Sequence, residues 1–388
     1  MSPDTVHAYP LPPQERDGWI RLAARVEGLP GQPDTLWFDL EARHRDKIPD
    51  VADSFLLGLL FPAMEAHRAL HVHGDVSHML LRNMEHFQAM WSSFVPDRYS
   101  PIEMFADREV HPEPGDGPAL LAFSGGLDSA YTARRHALGV LGRRTKNIEA
   151  GLMVLGFDIS RDRANYFDAA AEGSRAMLSS LGYDLWKLST NFRDFKAHWF
   201  YAHGTGLAAA LHCYAGGCSA AILAASNYHR GMRSIRPASR TGPAGSHALT
   251  DRYFSSPLME MIHDGSETAR SAKTLLISEW PEGMAHLRVC WETPTPDSNC
   301  GVCSKCLLTK LAFMANGLPV PGSLTPAPTA TQAATLRLEK SYHIRFARHL
   351  LELAAESGVA EDSVWSGLRS AVRRRQLRTL LSSMGLRI

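Results

Sequence analysis

Two hydrophobic periods divide this chain. Apolar runs of strand length lie at 19–26, 36–40 and 70–73, and stretches with apolar residues at helical spacing lie among them at 51–67 and 77–94. Residues 101–117 carry three prolines and two glycines, which suits a connector. Beyond it, strand and helix take turns. Strand-like runs at 119–123, 151–157, 185–188 and 220–225 alternate with helical patterns at 129–141, 163–181 and 204–214. Such alternation with short links predicts a parallel sheet covered on both faces, with right-handed crossovers. Residues 317–331 hold four prolines and read as a linker or surface loop. The remainder is helical in pattern, with Leu336, Ile344, Phe346, Leu350, Leu351 and Leu353 as its buried stripe. The expected organisation is an N-terminal α+β unit (1–110), an α/β unit with a parallel, doubly wound sheet (117–316), and a linker with a helical C-terminal unit (317–388).

Length and composition agree with this division. A chain of 388 residues exceeds one ordinary core. Its 45% apolar and 21% charged content is that of a soluble globular protein. A net charge of +1 argues against a large nucleic-acid footprint. No apolar run approaches the roughly 20 residues that span a bilayer. Met1-Ser-Pro-Asp-Thr-Val-His lacks the basic and apolar regions of a signal peptide, so the expectation is a cytoplasmic protein without a membrane partner.

The chemistry concentrates in two places. Ser124-Gly125-Gly126-Leu127-Asp128-Ser129 sits between an apolar strand and a helix. Glycines let phosphate approach the backbone, the helix start offers unpaired amides, and the serines add hydroxyl donors. Asp128 among phosphates would be repulsive unless it served a cation, which suggests Mg²⁺. The same letters also suit a plain Gly-Gly turn capped by Ser and Asp. The loop has neither the Gly-Lys-Ser/Thr end of a Walker A motif nor the spacing of a dinucleotide fingerprint. The second place is Cys290 followed by Cys300-Gly-Val-Cys303-Ser-Lys-Cys306. Four thiolates at this spacing match a closed, structural Zn²⁺ site, and an iron–sulfur cluster is the competing reading. Cys213 and Cys218 read as ordinary small residues. His71 and His73 alternate along a strand, but two histidines alone make a poor metal site, and they read as surface or core residues.

The phosphate loop resembles the Ser-Gly-Gly-x-Asp-Ser signature of the N-type ATP pyrophosphatases (the PP-loop superfamily). Residues 290–313 are similar to the zinc-bearing end of the 7-cyano-7-deazaguanine synthases. Ser271-Ala-Lys273-Thr matches a Lys-Thr stretch there, and Asn227 stands where those enzymes carry an asparagine. The likeness covers about 117–316. It departs at Thr309, where those enzymes carry an arginine and this chain has Lys310 next, and after Asn227, where Tyr228-His-Arg-Gly-Met-Arg differs from their substrate loop. The resemblance implies an adenine nucleotide alpha hydrolase-like fold and an AMP- and pyrophosphate-forming ligase. Such an enzyme adenylates a carboxylate, such as a 7-carboxy-7-deazaguanine-like acid, and couples it to ammonia or an amine to give an amide or nitrile. ATP, Mg²⁺ and Zn²⁺ are the expected cofactors. Asp128, Ser129 and Lys273 are the expected catalytic residues, and 124–129 with Asn227 the nucleotide contacts. Arg193 and Asp251 are further candidates for ATP or substrate contacts. A thiolating or tRNA-modifying enzyme and a non-catalytic nucleotide-binding module are the alternatives. Residue 2 is serine, so there is no N-terminal cysteine to release ammonia from glutamine. The flanking units read as presenting a protein or nucleic-acid acceptor, with Arg369, Arg373, Arg374, Arg375 and Arg378 on a basic helix at 363–382, or as a solvated face or homodimer contact.

Overall fold

The computed structural model describes residues 4–226, 244–290, 293, 295, 296 and 298–383. The first stretch forms strands β1 (Thr5–Pro10), β2 (Gln14–Arg16), β3 (Trp19–Glu27) and β4 (Thr35–Glu41), helix α1 (Asp53–Ala66), strand β5 (Ala69–Ser77), helix α2 (His78–Phe94) and strand β6 (Met104–Val110). The stretch expected to be only a connector thus contains a strand. β6 lies at the sheet edge and only every second residue near its start is half-buried, so its alternation is too weak to stand out beside the prolines that flank it.

Next come β7 (Ala119–Ala122), α3 (Leu127–Ala137), β8 (Ile148–Leu155), α4 (Ala164–Ser179), β9 (Asp184–Thr190), α5 (Trp199–His212), β10 (Ala220–Ala224) and β11 (Glu260–Asp264). Helices α6 (Arg270–Ser278), α7 (Pro281–His286), α8 (Ser304–Ala315), α9 (Ala330–Thr335), α10 (Ser341–Glu356) and α11 (Ser363–Ser383) complete the chain.

All the strands join one α/β sheet in the order β11-β10-β7-β8-β9-β4-β3-β1-β5-β6, with β2 paired to β3. The block from β11 to β9 is parallel throughout, as are β1-β5-β6; the pairs β9-β4, β4-β3 and β3-β1 are antiparallel. Successive residues of β7 divide between two cores, Leu120 on one face and Leu121 on the other. One core takes up α1, α2 and α5; the opposite one takes up α3, α4, α6 and α7. A third forms between α8, α9, α10 and α11, where Leu336 and Leu350 are buried and Ile344, Phe346, Leu351 and Leu353 pack beside them, as the helical spacing predicts. Among the described residues no helix is long and apolar enough to cross a membrane.

The core on the α1 side contains residues from both halves of the sheet. Trp186 of β9 is 2% exposed, and its ring lies 4.1 Å from that of His44 and 5.2 Å from that of Tyr214. Trp186→Ala should therefore destabilise the whole chain by about 3–5 kcal/mol. Urea unfolding followed by near- and far-ultraviolet circular dichroism should show one transition, shifted to lower denaturant. A separate transition for residues 1–110 would contradict a shared core.

Candidate functional site

β7 runs parallel between β8 and β10. The chain leaves β7 through α3 toward β8, and returns through α5 to β10 on the other side, so the carboxyl end of β7 is a switch point of the sheet. Ligands of open α/β sheets gather at such points. The loop 124–129 occupies it. Gly125 has φ +70°, a conformation that disfavours a side chain, and an added Cβ would lie 3.0 Å from Ser174 Oγ. Gly126 precedes the first turn of α3, and no side chain caps that turn. Ser129 closes the loop: its hydroxyl accepts from the Ser124 amide at 3.3 Å and donates to the Gly126 carbonyl at 3.1 Å. Leu127 is buried in the core and anchors the helix start.

Asp128 and Lys273 are brought together. Lys273, on α6, is 2% exposed, and its Nζ lies 2.9 Å from Asp128 Oδ1 and 2.5 Å from the Ala225 carbonyl just past β10. Arg270, one turn earlier on α6, pairs with the other carboxylate oxygen. The cations that Asp128 meets are thus two side chains. The start of α6 is fixed by later elements: Asn316, after α8, donates to the Ser271 carbonyl at 2.9 Å, and His349 of α10 lies 2.7 Å from the Ser271 hydroxyl. Removing one partner from such a buried pair leaves an uncompensated charge, at a cost of about 3–5 kcal/mol.

The other candidates separate. Asn227 lies outside the described residues. Arg193 donates to the Phe157 carbonyl at 2.8 Å and stacks on Trp199, beyond the ends of β8 and β9. Asp251 is fully buried, accepting from the Ser246 hydroxyl, the His247 amide and the His263 ring, which ties a turn to β11. It is a structural residue. Cys213 and Cys218 are buried, and burial pushes the Cys218 thiol up to about 12, which leaves it inert. A cavity of about 280 Å³ opens two strands away, where Trp19, Asp39, Leu155, Phe167 and Lys187 meet at the β4-β9 boundary.

Cys290, Cys300, Cys303 and Cys306 form a group that could hold a metal ion, with all four sulfurs within 4.8 Å of one another. Separations of 3.4, 3.6 and 3.8 Å approach the edge of about 3.8 Å expected for thiolates 2.3 Å from a tetrahedral ion. The knuckle turns at Gly301, φ +74°, and delivers Cys306 into the first turn of α8. Hydrogen bonds from the Cys303 and Cys306 thiols hold Cys290 well below the usual thiol range, while the bond it gives to Cys290 pushes Cys303 up to about 11. Four sulfurs packed this closely, two of them buried, are a donor set that a cation would suit.

Three residues without a sequence motif complete the assembly. Asn299 Oδ1 accepts from the amides of Val289 and Cys290, and its Nδ2 donates to the Leu287 and Ser323 carbonyls. Lys310 donates to the Gly301 and Pro326 carbonyls at 2.9 Å each, clamping the knuckle from beside Thr309. Arg288 sends its amide to the Gly125 carbonyl at 2.8 Å, joining the cysteine segment to the phosphate loop. Protein-family models, curated proteins and solved structures yield no match to this chain.

This bond gives the cluster a measurable reach. Cys300→Ser should remove the metal ion held by the cysteine group and lower the melting temperature, since the binding energy of a structural metal is also folding energy. Amides 125–130 should also exchange faster with deuterium. Unchanged exchange there would mean the cluster does not support the loop.

Proposed function

We propose that the chain is an ATP-dependent ligase of the N-type ATP pyrophosphatase kind, similar to 7-cyano-7-deazaguanine synthase. The observation that carries this is the loop 124–129 at the switch point of the sheet, facing a buried lysine on α6. The strand order β11-β10-β7-β8-β9 also suits an adenine nucleotide alpha hydrolase-like fold.

On this reading the amides at the start of α3 and the hydroxyl of Ser124 take the terminal phosphates of ATP. A carboxylate oxygen of the acceptor attacks the α-phosphorus, the bond to the β-phosphate oxygen breaks, and pyrophosphate leaves. Lys273 and Arg270, already held at the loop, stabilise the charge that grows on it. Asp128 orients both cations, and it is the carboxylate that would hold Mg²⁺. That ion supplies further neutralisation of the phosphates when bound. Ammonia or an amine then attacks the acyl carbon, AMP departs with the acyl oxygen, and the nitrogen loses a proton. Holding the two reactants together removes much of the entropic barrier. We assign Zn²⁺ to the four cysteines. A Cys₄ set leaves no open position, so a bound ion would hold Cys290, and through it the Arg288 amide on the loop, and would activate no water.

Incubating the full chain with α-labelled ATP, 7-carboxy-7-deazaguanine and ammonium tests this directly. The expected products are AMP and pyrophosphate, with Lys273→Met lowering kcat by about 10²–10³. ADP and phosphate as products would overturn the assignment. Asp128→Asn should lower turnover as strongly, and it keeps the shape that Lys273 packs against.

A further inference from the structure

β1 and β5 are parallel neighbours in register, with His7 opposite His71. Val6, Ala8, Leu70 and Val72 point into the core, so His7, His71 and His73 fall on the other face of the sheet. The sequence marks only the β5 pair; pairing with β1 supplies the third ring. Ligand atoms of the three lie within 4.8 Å of one another. His73 Nε2 is 3.0 Å from His7 Nδ1. Asp107 of the neighbouring β6 lies beneath the β5 pair, its Oδ1 3.0 Å from His71 Nε2 and 3.1 Å from His73 Nδ1.

A carboxylate only accepts, so those two nitrogens carry protons. His73 Nε2 and His71 Nδ1 are thereby left as lone-pair donors in their neutral rings. This is the outer support that ligating histidines ordinarily have, a carboxylate fixing the tautomer from behind. His7 turns Nδ1 toward His73, so Nδ1 is its ligating nitrogen and Nε2 carries the proton of the neutral ring. Tyr9 lies flat on His73, ring centres 4.2 Å apart and 2° from parallel, which restricts that ring's rotation. Arg25 stacks on Tyr9 and pairs with Glu27, which stands opposite His7 in register, so its charge is already compensated.

We propose that His7, His71 and His73 form a second metal site, specific for a late first-row divalent ion of the zinc, cobalt and nickel class. Two nitrogens 2.0–2.1 Å from one tetrahedral ion stand about 3.3 Å apart, so the observed 3.0 Å between His7 and His73 needs only a small opening. Imidazole donors select this class over Mg²⁺ and Ca²⁺. His71 and His73 keep 26% and 23% of their side chains exposed, so an ion could reach the site from solvent. β1 is five strands from β7, about 24 Å at the usual strand spacing, so the site is independent of the loop 124–129. Its ion ties the first strand of the chain to β5 and, through Asp107, to the edge strand β6.

Untagged full-length protein, stripped of metal and titrated with Co²⁺, separates the two sites by spectrum. The four-cysteine group should give intense near-ultraviolet thiolate-to-metal bands. A second equivalent should add only weak visible bands of nitrogen and oxygen ligation. His7→Gln with His73→Gln should abolish the second phase and leave the first. Asp107→Asn, outside the coordination sphere, should weaken the second phase about 10- to 100-fold. The proposal is overturned if the wild-type chain takes up one equivalent only, or if the second phase survives in the double variant. Circular dichroism checks the variants; should the double variant not fold, the Asp107→Asn titration decides, and an unchanged affinity there also overturns the site.

Discussion

Everything in this molecule hangs on β9, which accepts a parallel neighbour on one edge and an antiparallel one on the other. Its pairing with β4 sets Phe38 opposite Thr190 and Leu40 opposite Leu188, and turns two sheets into one. Side chains extend the ladder beyond its last backbone pair. Asn191 accepts from the Trp37 amide and donates to the Thr35 carbonyl, copying a strand residue with its amide group. At the other end Glu41 accepts from the Lys187 amide at 3.0 Å. Burial opposes ionisation of Glu41, but the His44 ring, that amide and Arg43 outweigh it and bring its carboxyl down to about 2. A carboxylate so held stays charged at any ordinary pH, and the junction is fixed.

The junction has a cost in legibility. Strands β3, β4 and β5 are readable because their buried positions are apolar; the segments at 19–26, 36–40 and 70–73 fall inside them. β1 alternates Val6 and Ala8 with polar residues and ends in a proline, and β11 is a short Glu-Met-Ile-His-Asp run, so neither stands out from a loop. Helix α3 begins at Leu127, two residues before the apolar pattern does, because the glycine before it lets the first turn form without a capping side chain. Pairing between β4 and β9 joins residues about 150 apart in sequence, and no local period carries that information.

The candidate site was legible to the same degree. The loop and the cysteines announce themselves by spacing, and Lys273 by its resemblance to a family stretch. Arg270, Asn299, Lys310 and His7 do not, since each acts through a partner distant in sequence that no short motif encodes. The basic stretch of α11 shows the converse. Arg374 donates to the Ala334 carbonyl and Arg375 to the Glu339 carbonyl, so two arginines that read as a binding face also fasten the helix to its own chain.

A buried lysine is an expensive way to hold a helix, because an ammonium removed from water must be wholly compensated. Lys273 is compensated by a single carboxylate oxygen and one carbonyl, while Arg270 takes the other oxygen of the same Asp128. Two cations thus share one anion beside an uncapped helix start, while the neighbouring carboxylates of Asp264 and Glu267 are taken up by Arg135. Apolar residues could pack α6 against α3 without burying a charge. Cations next to free amides at a helix start favour an anion between them, and on the proposed function the pyrophosphate leaving group would supply its charge at that point. On the proposed function, the pairing of two cations with one carboxylate suits a ligand that is negative. Hydrogen bonds from Asn316 and His349 to Ser271 of α6, and from Arg288 to the Gly125 carbonyl, hold the two cations and the loop in register.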